Sequence, residues 1–179
     1  MEQHRRKYNS DLSHQWKRKS LRLKTHNYGY TASYFITLSA SVFESIFEIP
    51  ELHAILAQTW EGLPTRFPSV TLDEFVIMPD HVHFIIHLEG NVKESTTLGS
   101  VVGAYKSLTT VAWLRHVEAA GRECMEYPGI IWQPDYFERI IRDTQELENT
   151  RQYIRNNPIK LQQQQEQERE QQEREQQQR

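Results

Sequence analysis

The stretch Phe75-Val76-Ile77-Met78-Pro79-Asp80-His81-Val82-His83-Phe84-Ile85-Ile86-His87-Leu88 decides how this chain folds, because two apolar runs meet at a Pro-Asp step. Both runs are rich in valine, isoleucine and phenylalanine, which favour β-strands. Residues 70–78 and 81–88 therefore predict two antiparallel strands with a very short connection, although Pro-Asp is not a favoured hairpin dipeptide.

Two histidines follow the join between these strands. Side chains two positions apart on a strand point to the same face, about 6.5 Å apart, so His81 and His83 can share one ligand. Neutral imidazole binds most first-row divalent ions, which makes the pair a candidate metal site. The alternative is that the pair is only the polar half of an amphipathic strand, but a polar pair on an apolar central strand needs a partner or a ligand. His87 has the same parity, and we expect it to be hydrogen-bonded or half-exposed at the strand end.

The length and composition indicate one domain of ordinary size in a reducing compartment. A chain of 179 residues can bury a proper core, and its single cysteine, Cys124, excludes an internal disulfide framework. No N-terminal stretch resembles a signal peptide or a membrane span, so we expect a cytoplasmic protein without a membrane partner. Residues 161–179 are almost wholly Gln, Glu and Arg, which predicts a low-complexity tail, either a solvated, fraying helix or disordered.

Charge is distributed unevenly along the chain. The net charge is −3, but residues 1–24 carry eight Lys/Arg against two acidic residues, a net +6, and residues 25–160 carry −7. An acidic body argues against binding nucleic acid through the body, so such a function would depend on the basic arm and on local patches. The arm residues that could lie along a phosphate backbone are Lys17, Arg18, Lys19 and Arg22. A merely solvated segment is the alternative. The predicted organisation is thus an arm (1–24), a domain (25–160) and a tail (161–179).

The remaining pattern predicts an α+β fold. A strand at residues 33–39 precedes a helix that starts near Pro50, and a long helix follows from residue 98 to about 120, with Gly121 as a plausible cap. The expected buried stripe of the long helix is Leu98, Val101, Val102, Tyr105, Leu108, Val111, Ala112 and Leu114. Residues 130–142 predict a last strand with an irregular middle. The order of elements is typical of a ferredoxin-like antiparallel sheet with helices packed on it.

The final helix carries a second candidate pair. It is predicted to be capped at Asp143 or Thr144 and to end at about Asn157, because the residue before a proline disfavours helical geometry. Tyr153 and Asn157 are four residues apart and share one helix face, so they can address one small site together. The alternative is that Tyr153 only caps the core.

Four motifs, taken in order, resemble the single-tyrosine HUH transposases, in particular the REP-associated tyrosine transposases. They are Met78-Pro79-Asp80-His81-Val82-His83, Ala104-Tyr105-Lys106-Ser107, Trp132-Gln133 with Tyr136-Phe137-Glu138-Arg139-Ile140-Ile141-Arg142, and Tyr153-Ile154-Arg155-Asn156-Asn157-Pro158. The similarity covers about residues 15–160.

The resemblance implies an enzyme that cuts and rejoins single-stranded DNA, at hairpin or repeat sequences. It implies that His81 and His83 hold a divalent ion and that Tyr153 attacks a phosphodiester, leaving a 5′-phosphotyrosine and a free 3′-OH. Asn157 matches the position of a further metal ligand. A free phenol has a pKa near ~10 and needs an ion or base nearby to act as a nucleophile. Mg²⁺ prefers oxygen ligands, so two imidazoles and an amide make Mn²⁺ an equal candidate.

Further residues are predicted to contact DNA. Trp132, Tyr136 and Phe137 could stack on bases, with Arg139 and Arg142 meeting phosphates, although such aromatic side chains could equally belong to the core. Lys106 lies off the buried stripe of its helix, inside a matching motif, and joins the predicted nucleic-acid-binding residues.

Two other functions stay open. One is a catalytically silent regulator that binds hairpin DNA and descends from such an enzyme, and the other is a structural metal or core role for the histidines. The presence of all four residues His81, His83, Tyr153 and Asn157 favours the enzyme, because a binding-only descendant would be free to lose them. The chain could act as a monomer or a homodimer.

Overall fold

The computed structural model describes residues 31–41, 45–90, 96–121 and 130–177. The strands are β1 (Ala32–Ser39), β2 (Val70–Ile77), β3 (His81–Leu88) and β4 (Phe137–Ile141). The helices are α1 (Pro50–Glu61), α2 (Leu63–Arg66), α3 (Leu98–Ala119) and α4 (Thr144–Gln177), and Ile46–Glu48 forms a 3₁₀ turn. The predicted arm, with Lys17, Arg18, Lys19 and Arg22, and also Cys124 lie outside the described residues. Within these residues, no helix is both long and apolar enough to cross a membrane.

The four strands form one antiparallel sheet in the order β2-β3-β1-β4. Together with the helices between the strands, this order is that of a ferredoxin-like fold, and the predicted α+β class is confirmed. β2 and β3 form the expected hairpin, which is closed by a 2.8 Å hydrogen bond from the backbone N–H of Met78 to the carbonyl of His81. β3, which carries His81 and His83, is an inner strand, as its apolar flanks predicted.

The sheet buries a different set of side chains on each face. One face packs against α1 and α3 and forms the main core, in which Tyr34, Ile36 and Phe84 are fully buried. Alternation along the strands turns Phe35 and Ile85 to the opposite face, where they meet Ile154 of α4 in a smaller cluster. Packing of α4 on this second face brings it over the side of β3 that carries the histidines.

The N-terminal half of α3 buries the residues of the predicted stripe, and its C-terminal half does not. Leu98, Val101, Val102 and Tyr105 are buried as expected, but Leu108, Val111 and Leu114 are exposed, and Thr109 and Trp113 take the buried positions instead. Thr109 can be buried because its hydroxyl donates to the Tyr105 carbonyl at 2.8 Å and accepts from the indole N–H of Trp132 at 2.9 Å. Gly121 has φ +81° just beyond the helix, the left-handed geometry expected of a helix-ending glycine.

The predicted last strand is shorter than expected. Only Phe137–Ile141 pairs with β1, whereas Trp132 forms an isolated bridge with Ala40. The segment between them is irregular because its carbonyls at Gln133, Pro134 and Asp135 bond to the ammonium group of Lys106 instead of to a strand.

The final helix starts where predicted but does not stop at Asn157. A carboxylate oxygen of Asp143 accepts from the backbone N–H of Glu146 at 2.8 Å, which is the expected N-cap. The predicted end is wrong, because α4 continues through Pro158 to Gln177. A proline inside a helix removes one backbone donor, and the turns on either side retain theirs. Of the two alternatives for the tail, the structure has the solvent-exposed helix up to Gln177.

Candidate active site

His81 and His83 meet on the α4 face of β3, as the strand alternation predicted. Their Nε2 atoms are 3.1 Å apart, and the ring centroids are 4.5 Å apart. The Nδ1 atom of His81 lies 2.7 Å from a carboxylate oxygen of Asp80, and Nδ1 of His83 lies 2.8 Å from the hydroxyl of Thr37. An ionised carboxylate can only accept, so Nδ1 of His81 donates to Asp80, and Nε2 is the His81 nitrogen that faces His83.

His83 is held in its neutral form. Its ring contacts those of Phe35 and Tyr153, with centroids 5.3 and 5.4 Å away, and the residue is only 5% exposed. Burial, followed by the neighbouring His81, lowers the pKa of His83 to about 4, against a smaller opposing effect of Asp80. At neutral pH His83 therefore keeps the uncharged imidazole that a metal ion requires.

Tyr153 reaches the histidine pair from α4. Its phenol oxygen is 3.5 Å from Nε2 of His83, which is contact distance but long for a hydrogen bond. The Tyr153 ring meets Phe35 edge-on with centroids 5.9 Å apart, and it meets His83 with centroids 5.4 Å apart. Tyr153 is 45% exposed, so its oxygen can be approached from solvent.

Asn157 lies one turn beyond Tyr153 and does not join the histidines directly. Its Nδ2 atom donates to the backbone carbonyl of Tyr153 at 2.8 Å, and no hydrogen bond links it to His81 or His83 in the described part of the chain. The predicted helix-face relation of the two residues is present, while the predicted role of Asn157 as a ligand stays a prediction.

The histidine pair fits a divalent cation. Two imidazole nitrogens bound to one ion at about 2.0–2.1 Å each lie about 2.8–3.4 Å apart, which matches the separation of 3.1 Å seen here. Both Nδ1 atoms already have partners, so both Nε2 atoms remain to face the ion. In the described ranges no cluster of three or more His, Cys, Asp or Glu side chains could hold a metal ion, so beyond the two imidazoles this part of the chain leaves an amide oxygen, with water and phosphate oxygens, as further ligands.

The predicted DNA-binding residues outside the arm have different surroundings. The ammonium group of Lys106 donates to three backbone carbonyls, which favours a structural role over a phosphate contact. Arg139 donates to the hydroxyl of Thr150 at 3.0 Å and pairs with Glu146 at 3.5 Å, on the α4 face near Tyr153. The side chain of Arg142 is exposed.

The three aromatic side chains that could stack on bases also differ in how exposed they are. Trp132 is buried in the main core, and Tyr136 packs against that core. Phe137 is 48% exposed and lies opposite Thr37 in the register of β4 and β1, hence on the face of His83 and Tyr153. Of the three, Phe137 has the position that stacking on a base near the site requires.

Sequence reasoning missed the residues that orient the histidines. Asp80 could have been found, because it directly precedes His81 on the same short turn. Thr37 could not, because its pairing with His83 depends on the register between β1 and β3, two strands that are 46 residues apart at this pair.

Comparisons with known proteins agree with this architecture. The model of the IS200-like transposase family matches residues 56–157, which include His81, His83, Tyr153 and Asn157. An uncharacterized protein of Haemophilus influenzae is 35% identical over 185 residues, covering 89% of this chain and 96% of that protein. A solved structure of a REP-associated tyrosine transposase bound to a REP hairpin has the same fold, with a TM-score of 0.57 and 21% identity over 78% of this chain and 74% of that one. The chain therefore belongs to the IS200-like transposase family.

Proposed function

We propose that this protein cuts and rejoins single-stranded DNA at hairpin or repeat sequences, with Tyr153 as the nucleophile and a divalent ion as cofactor. One observation carries the proposal: the phenol oxygen of Tyr153 lies 3.5 Å from His83 Nε2, which lies 3.1 Å from His81 Nε2. A helix and an inner strand thus bring one phenol oxygen and two imidazole nitrogens together, which is the set of atoms that the proposal requires.

The reaction is a transfer of one phosphoryl group. The phenol oxygen of Tyr153 attacks the phosphorus, the bond from phosphorus to the 3′ oxygen breaks, and that oxygen takes up a proton to leave as a 3′-OH. The downstream strand stays attached as a 5′-phosphotyrosine, and attack by a 3′-OH on this linkage reverses the step and rejoins DNA. The phenol proton must also leave, and because Nε2 of His83 would hold the ion and its Nδ1 is bonded to Thr37, the proton would pass to solvent, which reaches the 45% exposed Tyr153.

His81, His83 and, by the family resemblance, Asn157 would hold the cofactor. When bound, Mg²⁺ or Mn²⁺ supplies positive charge that neutralises the non-bridging phosphate oxygens. Asp80 and Thr37 fix the two imidazole rings so that both Nε2 atoms face that position.

Phe137 and Arg139 would receive the single strand beside the site. Both project to the α4 face of the edge strand β4. Phe137 lies 6.2 Å from Phe35 by ring centroid, and the Arg139 guanidinium lies 5.6 Å above the same ring. An exposed aromatic ring next to a cation suits a nucleotide of single-stranded DNA, whose base stacks and whose phosphate is negative.

The test uses hairpin oligonucleotides with randomised single-stranded flanks, because the sequence recognised is unknown. A label on the 3′ side of the flank should appear in a covalent protein–DNA band with Mg²⁺ or Mn²⁺, and a label on the 5′ side should appear in a shortened free strand with an extendable 3′-OH. Tyr153→Phe should abolish the band and keep hairpin binding. Tyr136→Phe is the matched control, because that phenol packs against the main core, and it should retain the band.

Three outcomes would contradict the proposal. Hairpin binding by the wild type without any adduct would identify a binding-only protein, the catalytically silent regulator. A band that persists in Tyr153→Phe would mean that another residue is the nucleophile. A band that carries the 5′-side label would reverse the proposed polarity.

A further inference from the structure

A β-bulge interrupts β2 opposite the middle of β3. Leu72 pairs with Ile86, but the next pair is Phe75 with Phe84, so Asp73 and Glu74 together stand opposite the single residue between those partners. One extra residue in a strand is the definition of a bulge, and bulges next to active sites commonly redirect side chains.

The bulge turns two consecutive carboxylates to the same face of the sheet. In a regular strand Asp73 and Glu74 would point to opposite faces. Before the bulge, the alternation that places Thr71 opposite His87 puts Asp73 on the α4 face. After it, the alternation that places Val76 opposite His83 puts Glu74 on that face as well.

Two arginines of α4 meet these carboxylates. Arg151 and Arg155 are one helical turn apart. Arg151 donates two hydrogen bonds to Asp73, one from Nε to Oδ1 at 2.9 Å and one from Nη2 to Oδ2 at 2.7 Å. Arg155 bonds to Glu74, with Nε 2.9 Å from Oε1. These four residues form what we call the bulge clamp.

The inner half of the clamp is tied further into the sheet. The Asp73 side chain is only 9% exposed, and its Oδ2 also lies 2.7 Å from Nε2 of His87 on β3. Nδ1 of His87 lies 2.6 Å from the hydroxyl of Ser33 on β1. Burial raises the pKa of Asp73, but the bonds from Arg151 and His87 lower it to below its ordinary value. Three strands therefore hold the carboxylate that anchors α4.

The clamp holds the helix on the flank opposite Tyr153. Residues two positions apart on a helix point about 200° apart, so Arg151 and Arg155 face β2 while Tyr153, between them, faces β1 and β3. Apart from the clamp, α4 is attached to the sheet by the small cluster of Ile154 and Leu147 with Phe35, Ile85 and Ile141, and on its β4 side by the hydrogen bond from Arg139 to Thr150. Apolar contact is non-directional, whereas a two-pronged Arg–carboxylate pair fixes position along the helix axis.

We infer that Asp73 and Arg151, supported by Glu74 and Arg155, are positioning residues that set where Tyr153 stands relative to His83. The inference rests on the proposed function for its catalytic meaning. Misplacement of a reacting group by about 1 Å can cost about 10²-fold in rate, and one residue of helix register is about 1.5 Å.

The test combines hydrogen exchange without DNA and single-turnover adduct formation. In Asp73→Asn and Arg151→Gln, the amides of residues 147–157 should exchange at least tenfold faster, while those of β1 and β3 keep their rates. The adduct rate should fall at least tenfold, with the hairpin Kd changed less than threefold. Arg151→Lys should give exchange and adduct rates between those of the wild type and Arg151→Gln, because an ammonium group cannot make the bidentate pair. Arg174→Gln is the matched control, since Arg174 pairs with Glu170 on the same helix, away from the sheet, and should change neither readout.

A charge exchange separates positioning from general stability. Glu74→Arg and Arg155→Glu should each accelerate exchange in residues 147–157, and the double variant should restore it, because this exposed pair can be reversed without disturbing His87. Unchanged exchange in all clamp variants would overturn the inference, and so would faster exchange throughout the sheet, which would show only loss of stability. If the wild type forms no adduct, the proposed function fails, while the exchange data still decide whether the clamp holds α4.

Discussion

The hydrogen bond between Thr37 and His83 allows a test of the proposed metal site. Thr37→Val keeps the shape of the side chain and removes the hydroxyl that lies 2.8 Å from Nδ1 of His83. With the bond gone, the imidazole loses the partner that fixes its ring and its proton. We expect the affinity of the protein for Mn²⁺ to fall, with His83 still present.

The expected loss of Mn²⁺ affinity is set by one hydrogen bond, and because His83 is only 5% exposed, water does not replace that bond. One neutral hydrogen bond contributes about 0.5–1.5 kcal/mol, and loss of a residue that orients a metal-binding histidine typically costs about 10–100-fold in metal affinity. Both ranges include a loss of about tenfold. A buried Nδ1 without a partner also destabilises the fold by about 1–3 kcal/mol, and each kcal/mol corresponds to about 2–4 °C in melting temperature at this chain length.

The assay is a titration with Mn²⁺ in the absence of DNA, followed by calorimetry or by electron paramagnetic resonance, together with a melting curve. Thr37→Ser keeps a hydroxyl and should retain most of the affinity. Ser33→Ala is the matched control: Ser33 lies four residues earlier on β1 and bonds to His87 instead, so its loss should leave Mn²⁺ affinity unchanged. Wild-type affinity in Thr37→Val, or an equal loss in Thr37→Ser, would refute the reasoning.

Three further predictions concern the arm, Lys106 and the tail. Removal of residues 1–24 should weaken hairpin binding and flatten its dependence on salt, and an unchanged salt slope would place the phosphate contacts elsewhere. Lys106→Met should lower the melting temperature by about 2–4 °C, the scale of about 1 kcal/mol, and leave the salt slope unchanged. Burial lowers the pKa of Lys106 to about 8 from 10.5, so between these pH values the unfolded chain holds a proton that the folded chain has lost. The wild type should therefore gain free energy of unfolding between pH 8 and 10, measured relative to Lys106→Met at the same pH. Deletion of residues 162–179 should shift the melting temperature by no more than about 2–4 °C, because that part of α4 has no apolar face, and a larger drop would show that it packs or oligomerises.

Local periodicity was sufficient to predict each of the two residue pairs that form the candidate site. Alternation along a strand placed His81 and His83 on one face, and the helical repeat placed Tyr153 and Asn157 on another. The meeting of the two halves is a long-range property, since 70 residues separate His83 from Tyr153. It depends on Phe35, Ile85 and Ile154 closing into one cluster, and nothing in the local pattern of any of these three residues identifies the other two as its partners.

The end of α4 was predicted wrongly and the bulge of β2 was missed, because the local sequence pattern predicts neither. Pro158 disfavours the helical geometry of Asn157 locally, yet α4 continues past it. The bulge at Asp73 and Glu74 contains no glycine, and the local sequence does not predict it. The sequence does contain two arginines one helical turn apart, Arg151 and Arg155. They indicate neighbouring carboxylates on β2 only once α4 is known to pack beside that strand.

The acidic body is compatible with the proposed DNA substrate. Asp73, Glu74 and Glu146 are paired with Arg151, Arg155 and Arg139, respectively, so part of the negative charge near Tyr153 is locally neutralised. The pairs with Asp73 and Glu74 also occupy Arg151 and Arg155, which would otherwise be available to phosphates. If these two pairs persist when DNA is bound, positive charge for the strand has to come from Arg139, from the proposed cation at the histidines and from the arm, whose net charge is +6. The salt slope lost on removing the arm should therefore exceed the slope lost in Arg151→Gln, whose guanidinium is already engaged by Asp73.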